Sequence, residues 1–262
     1  MRIATWNING IKARLGLLLT WLKQEEPDIV VLQEIKSIDE NFPRSDIEAL
    51  GYNIETHGQK SWNGVAILSK RPFDEVTRGL PGDDSDEQAR LIEAVFSVET
   101  GAIRVCGIYL PNGNPVESEK FPYKLRWMDR LIDYVEERLR YEEPFILLGD
   151  FNIIPAPEDA RNPENWWGDA LYRPESLEKF RILRNMGMTD ALRSISAEEA
   201  YRGQTIGRAI LGTPETVQSF TPDQIRAVLA KVEKESELLK LNDLNFPFGQ
   251  GLPLDYRIAG CL

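Results

Sequence analysis

The chain has 262 residues, 42% of them hydrophobic and 28% charged, with a formal net charge of −11. That is enough chain for one large domain with a sizeable core, or for two small ones, and the balance is that of an ordinary globular protein. No apolar run approaches the about 20 residues of a membrane span, MRIATWNING has no long apolar signal-peptide core, and Cys106 and Cys261 lack the CxxC spacing of a disulfide framework or zinc site, so a reducing cytoplasm is the expected setting.

Residues 2–7 (RIATWN) read as a strand, and 11–25 as an amphipathic helix with Leu15, Leu18, Leu19 and Leu22 at helical spacing. DIVVLQ (28–33) reads as a buried strand ending at Glu34. ALGYNIET, GVAILSK, LIEAVFSV and IRVCGIYL follow as strands separated by Gly, Pro and Asp turns. A long charged helix is predicted over 119–140, then the strand FILLGDFNI, then a helix over about 174–187 leading into MGMTDALR. The order implies a mostly β core flanked by helices, with no internal repeat.

Polar residues gather where these strands end. Asn7, Glu34, Tyr109, Asp150 and Asn152 each follow an apolar run. Strand residues i and i+2 share a face, so Asp150 and Asn152 are expected to point the same way. An acid after a strand is most often a solvated turn residue, but five such positions together read as a site. Carboxylate and amide oxygens suit a hard divalent cation, commonly held by one or two carboxylates plus substrate phosphate. Glu34 and Asp150 supply that minimum. The single histidine, His57, excludes metal clusters or acid–base chemistry that need two. The acidic balance runs against nucleic-acid affinity, which comes largely from neutralised phosphates, so any DNA contact must rest on a local basic patch.

The blocks ATWNING, VVLQEIK, HGQKSWNGVAILSK, DDSDEQARLIEA, YLPNGNPVESEKFPYKLRWMDRL, LLGDFNI and GMTDALR agree in order and spacing with another set of proteins. Over about residues 1–195 the chain resembles the exonuclease III family of abasic-site endonucleases, within the endonuclease/exonuclease/phosphatase superfamily. The resemblance implies an α/β fold, a four-layered sandwich of two packed β-sheets flanked by helices. It implies Mg²⁺- or Mn²⁺-dependent hydrolysis of DNA phosphodiesters, with incision 5′ to abasic sites and 3′→5′ exonuclease or 3′-repair activity. The partner would be double-stranded DNA with abasic sites or 3′ ends, and the protein a monomer without membrane attachment. Carried over by position, Glu34 is the principal metal ligand with Asn7 beside it. Asp150 would activate or orient the attacking water, Asn152 would position it or contact the phosphate, and Tyr109 would donate to the scissile phosphate or lie close to it. Lys36, Lys60, Lys120 and Lys124, in loop-like segments near Trp62 and Tyr123, would line a positive groove with stacking aromatics. Scattered surface lysines are the plainer reading of the four. His57 does not match the family's catalytic histidine and reads as a surface or structural residue.

After about residue 195 the motif blocks stop. The family's last quarter carries an aromatic-rich strand, an Ile-Asp-His/Tyr strand and a terminal Ser-Asp-His, and this sequence has no histidine beyond His57. Residues 196–232 instead resemble a segment of the pitrilysin or mitochondrial-processing-peptidase family, without its zinc-binding His-x-x-Glu-His, so peptidase activity is not implied. Thr221 could cap a helix with Pro222 at its first position and Gln224 three residues after the cap. Ile225, Val228, Leu229, Val232, Leu238 and Leu239 would then line one face. LPLDYRIAGCL faintly resembles the family's Ile-Asp strand, which would make Asp255 the missing histidine's partner and a weak metal-site candidate.

The expected division is therefore a catalytic domain over 1–195 and an atypical, partly helical segment over 196–262. Two consequences are expected: unpaired strand edges, and loss of transition-state stabilisation worth about 3–4 kcal/mol, by analogy with oxyanion donors. The leading reading is an exonuclease III-like DNA repair nuclease with the metal half of its site and an altered other half, with or without impaired activity. The alternatives are a catalytically inactive hybrid or truncated family member that binds DNA or a protein partner, and a hydrolase of small phosphoesters.

Overall fold

The computed structural model describes residues 1–99, 101–160, 162–191, 208–211 and 259–261. The helix expected after Thr221 and the candidate Asp255 lie outside the described residues.

The strands β1 (Ile3–Asn7), β2 (Ile29–Gln33), β3 (Asn53–His57) and β4 (Val65–Ser69) form one sheet. β1 and β2 run parallel, joined by helix α1 (Ile11–Glu25), and β4 and β3 continue the sheet antiparallel. The second sheet is built on β5 (Glu75–Arg78), β6 (Leu91–Val98), β7 (Gly101–Tyr109) and β8 (Phe145–Asp150). Here β7 and β8 are the parallel pair, joined through helix α3 (Lys120–Leu139). A short helix α2 (Arg44–Glu48) precedes β3, and α4 (Pro174–Asn185) packs near α3.

Strand alternation sorts the apolar residues into three clusters, one per interlayer space. Ala4, Trp6, Val30, Leu32, Ala66 and Leu68 face α1 through Leu18, Trp21 and Leu22. The opposite faces of the same strands (Ile3, Ile29, Val31, Val65, Ile67) meet Ile92, Ala94, Phe96, Val105, Ile146 and Leu148 of the second sheet. The outer face of that sheet packs on Trp127, Met128, Leu131 and Val135 of α3 and Phe180 and Leu183 of α4. Three clusters make four layers, helix–sheet–sheet–helix. The central strands are buried on both faces, which is why they read as continuous apolar runs rather than alternating ones.

Two glycines allow close approach, Gly107 between the two sheets and Gly149 between the neighbouring strands β7 and β8. A Cβ on Gly107 would lie 2.2 Å from Val31 across the sheet interface, and one on Gly149 would lie 2.0 Å from the Ile108 carbonyl oxygen. Gly149 also has φ 141, which an L side chain adopts only with strain. Gly149→Ala is therefore expected to destabilise the fold by about 3 kcal/mol or more. A denaturant midpoint matching the parent chain's would refute this.

The structure departs from the sequence reading at three places. β5, an edge strand, was not foreseen, because its four residues EVTR carry a single aliphatic side chain and none of them is buried. The strand of FILLGDFNI stops at Asp150, because Asn152 turns into the left-handed region at φ 45. Strand edges were expected to stay unpaired, yet β10 (Arg208–Leu211) lies antiparallel on β8, and β9 (Thr189–Asp190) lies antiparallel on the far side of β10. Likewise β11 (Ala259–Cys261) lies antiparallel to β1. Both sheets thus receive a strand from the segment 196–262, and ladder pairing satisfies backbone groups that an open edge would leave exposed.

Candidate active site

The two parallel pairs end side by side. Register places Asn7 beside Gln33, the residue before Glu34, and Tyr109 beside Asp150. Packing of the sheets then brings these ends together. Asn7, at the end of β1, donates from Nδ2 to Glu34 Oε1 at 2.9 Å and to Asp150 Oδ2 at 2.8 Å. One amide therefore bridges a carboxylate from each sheet. Tyr109 donates its hydroxyl to the same Glu34 Oε1 at 2.9 Å, and Lys36 pairs with Glu34 Oε2 at 2.9 Å. Asp150 Oδ1 accepts the Asn152 backbone N–H at 2.9 Å. Asn152 Nδ2 donates to the Leu110 carbonyl at 2.8 Å, and its Oδ1 accepts from Asn112 Nδ2 at 3.2 Å.

Glu34 (φ 52), Lys36 (φ 50) and Asn152 (φ 45) are all left-handed. Such conformations cost of order 1–3 kcal/mol each and persist where surrounding bonds over-determine them. At Glu34 the bonds are the Gly10 N–H to its carbonyl and the Ile35 N–H to the Gly64 carbonyl. Asp150 and Asn152 do converge, but through a backbone turn closed on the Asp150 carboxylate rather than through the i, i+2 alternation of a continuing strand.

Asn7, Asp150 and Asn152 are nearly buried, and Glu34 is partly open. Burial, and then the charges of Glu34 and Asp150, push the Tyr109 hydroxyl well above its ordinary range, so it stays a donor. Arg90 lies over the Tyr109 ring, 4.9 Å from its centroid, and donates to the Tyr109 carbonyl at 3.1 Å. Arg90 and Asn112 belong to the site and were missed as individual residues. Each sits inside a motif block, but neither follows an apolar run.

The described residues hold no group of three or more His, Cys, Asp or Glu that could bind a metal. What they do hold is two carboxylates joined through the NH₂ of one amide, so the hard oxygen donors of the set are the Glu34 and Asp150 carboxylates. That set fits a divalent cation of the Mg²⁺ class, which completes its shell with water and substrate phosphate.

The basic residues separate. Lys36 is engaged with Glu34 and with Asn9 Oδ1. Lys60 and Lys120 are exposed, and Trp62 is 74% exposed beside Asn63, whose carbonyl accepts the Lys36 N–H. Tyr123 is tied by its hydroxyl to Asp86. Lys124 contradicts its expected place in a DNA-facing loop. It lies inside α3, fully buried, with Nζ on the carbonyls of Asn152 (2.6 Å) and Asn112 (3.1 Å). Position 124 falls on the inward stripe of the helix with Phe121, Trp127 and Met128, so no DNA backbone reaches it. His57 bonds through Nδ1 to the Leu91 carbonyl at 3.2 Å, which ties β3 to β6.

A sequence model of the endonuclease/exonuclease/phosphatase family matches residues 4–225, reaching past the last motif block. The chain belongs to that family. Exodeoxyribonuclease III of Haemophilus influenzae is 35% identical over 203 residues, covering 75% of this chain and 76% of that protein. Among solved structures, an AP endonuclease from Archaeoglobus fulgidus superposes with TM-score 0.73 at 30% identity, over 81% of this chain and 86% of that one. A 3′ phosphatase from Neisseria, bound to product DNA hairpin, superposes with TM-score 0.75 at 33% identity, over 82% of this chain and 87% of that one. Within the family the chain sits in the exonuclease III branch, and it is an enzyme of that type.

Proposed function

We propose that this protein is a Mg²⁺-dependent DNA phosphodiester hydrolase, with Mn²⁺ as the substitute metal. It incises 5′ to abasic sites and trims 3′ ends of double-stranded DNA. The observation that supports this most is the bridge from Asn7 to Glu34 and Asp150, which gathers acidic oxygens from both sheets beside a protonated tyrosine. The kinship with an exodeoxyribonuclease III, an AP endonuclease and a phosphatase seen with product DNA points the same way.

In this reading Glu34 holds the cation, with Asn7 beside it. When bound, the metal neutralises charge developing on the phosphate oxygens. Asp150, its two oxygens fixed by Asn152 N–H and Asn7 Nδ2, aligns the attacking water and accepts its proton. Asn152 Nδ2 has two hydrogens and uses one on Leu110, leaving the other for the water or a phosphate oxygen. Tyr109 turns its hydroxyl from Glu34 toward the phosphate when substrate enters. Lys60, Lys120 and Trp62, all exposed, are the proposed DNA contacts.

A duplex carrying one abasic site, incubated with Mg²⁺ or with EDTA, tests this. Metal-dependent incision 5′ to the lesion is expected. Lesion binding without incision, or cleavage of small phosphoesters and not of DNA, would overturn it.

A further inference from the structure

Lys124 has a place in the structure that the reading above does not use. Its side chain enters from α3 beneath the site, and two backbone carbonyls from different loops accept hydrogen bonds from its ammonium. The loop after β7 passes directly over its stem, since a Cβ on Gly113 would lie 2.7 Å from Lys124 Cδ. That loop is tied in turn through Asn114 Nδ2 to Asp169. We propose that Lys124 is a positioning residue, whose buried ammonium clamps the Asn152 and Asn112 carbonyls and so holds the Asn152 N–H against Asp150.

The backbone and the charge both support this. Asn152 is left-handed at φ 45, a conformation that needs external bonds to persist. Its N–H is on Asp150, Nδ2 on Leu110 and Oδ1 on Asn112. The bond from Lys124 to its carbonyl is the shortest of the set, at 2.6 Å. Asn112 meets Lys124 through its carbonyl and Asn152 through its amide NH₂, so the ammonium closes a ring around the turn. Burying an ammonium is unfavourable, and an apolar side chain of similar length would fill the space without that penalty. What the lysine adds is donors. Burial pushes its pKa down to about 7, opposed by the negative charges of Asp150 and Asp169.

The kinetic test rests on the nuclease reading, so one measurement is kept independent of it. In the full chain with Mg²⁺ and abasic-site duplex, Lys124→Met is expected to lower kcat about 100-fold, as for a small displacement of a catalytic group, with KM within about threefold. In an Asp150→Ala background the same change should have almost no further effect, since the Asn152 N–H that Lys124 holds then has no carboxylate to fix. Additive losses in the double variant, an effect confined to KM, or a kcat near the parent's would overturn the proposal. Independently of DNA, NMR of the lysine Nζ groups in the unaltered protein should show one ammonium with slowly exchanging protons that is absent from Lys124→Met. Lys124→Gln serves if that variant does not fold. No protected ammonium would overturn the clamp. If the parent chain fails to cut DNA, the nuclease reading falls, while the NMR result alone decides the clamp.

Discussion

Replacing Asp150 with asparagine is expected to lower abasic-site incision about a thousandfold, within the range for loss of a positioned general base. Two effects coincide. The carboxylate that would take the water's proton becomes an amide with no comparable basicity. The amide also cannot satisfy both of its donors. Oδ1 accepts from Asn152 N–H and Oδ2 from Asn7 Nδ2, so an NH₂ at either position faces a donor in a buried setting. Such a mismatch costs about 1–3 kcal/mol. Single-turnover cleavage at saturating Mg²⁺ would be compared with duplex affinity measured by anisotropy in EDTA. Affinity is expected within about threefold of the parent chain. A cleavage rate within tenfold of the parent's would remove Asp150 from the role assigned to it.

Glu34→Gln is expected to raise the Mg²⁺ concentration for half-maximal cleavage at least tenfold, the scale on which even supporting residues of metal sites act. The glutamate takes three donors, with Asn7 Nδ2 and Tyr109 hydroxyl on Oε1 and Lys36 on Oε2. Glutamine keeps the shape and removes the charge, and its NH₂ must face either those donors or the Lys36 ammonium. Titration of MgCl₂ against cleavage rate, with calorimetry of metal binding to the free protein, checks the shift. An unchanged Mg²⁺ dependence would make Glu34 a structural partner of Asn7 and Tyr109, and the metal site would have to be sought elsewhere.

The strands and helices around the site were legible because their burial leaves a plain signature. β1, β2, β4, β7 and β8 have buried runs, and α1 begins at Ile11 and ends at Glu25 as its leucine spacing predicts. The lone valine of edge strand β5 gave no such signal. Lys124 was misread for a related reason. A charged side chain in a run such as KFPYK suggests solvent, and only the packing of α3 on the second sheet turns that position inward.

The polar strand ends Asn7, Glu34, Tyr109, Asp150 and Asn152 were visible as a set in the chain itself. An apolar run that stops at a carboxylate or amide is a local pattern, and the motif blocks around these residues carried the family. Their arrangement was not local. Asn7 lies 143 residues from the Asp150 oxygen it binds, and Tyr109 lies 75 from Glu34. The turn at Asn152, the clamp from Lys124 and the pairing of β10 and β11 likewise depend on segments distant in sequence. Periodicity and residue type act over a few neighbours, so most elements, and the polar groups at their ends, could be read from local sequence alone. Which oxygens face one another, and which lysine is buried beneath them, was decided when the two sheets packed and close contact imposed one geometry on all of them.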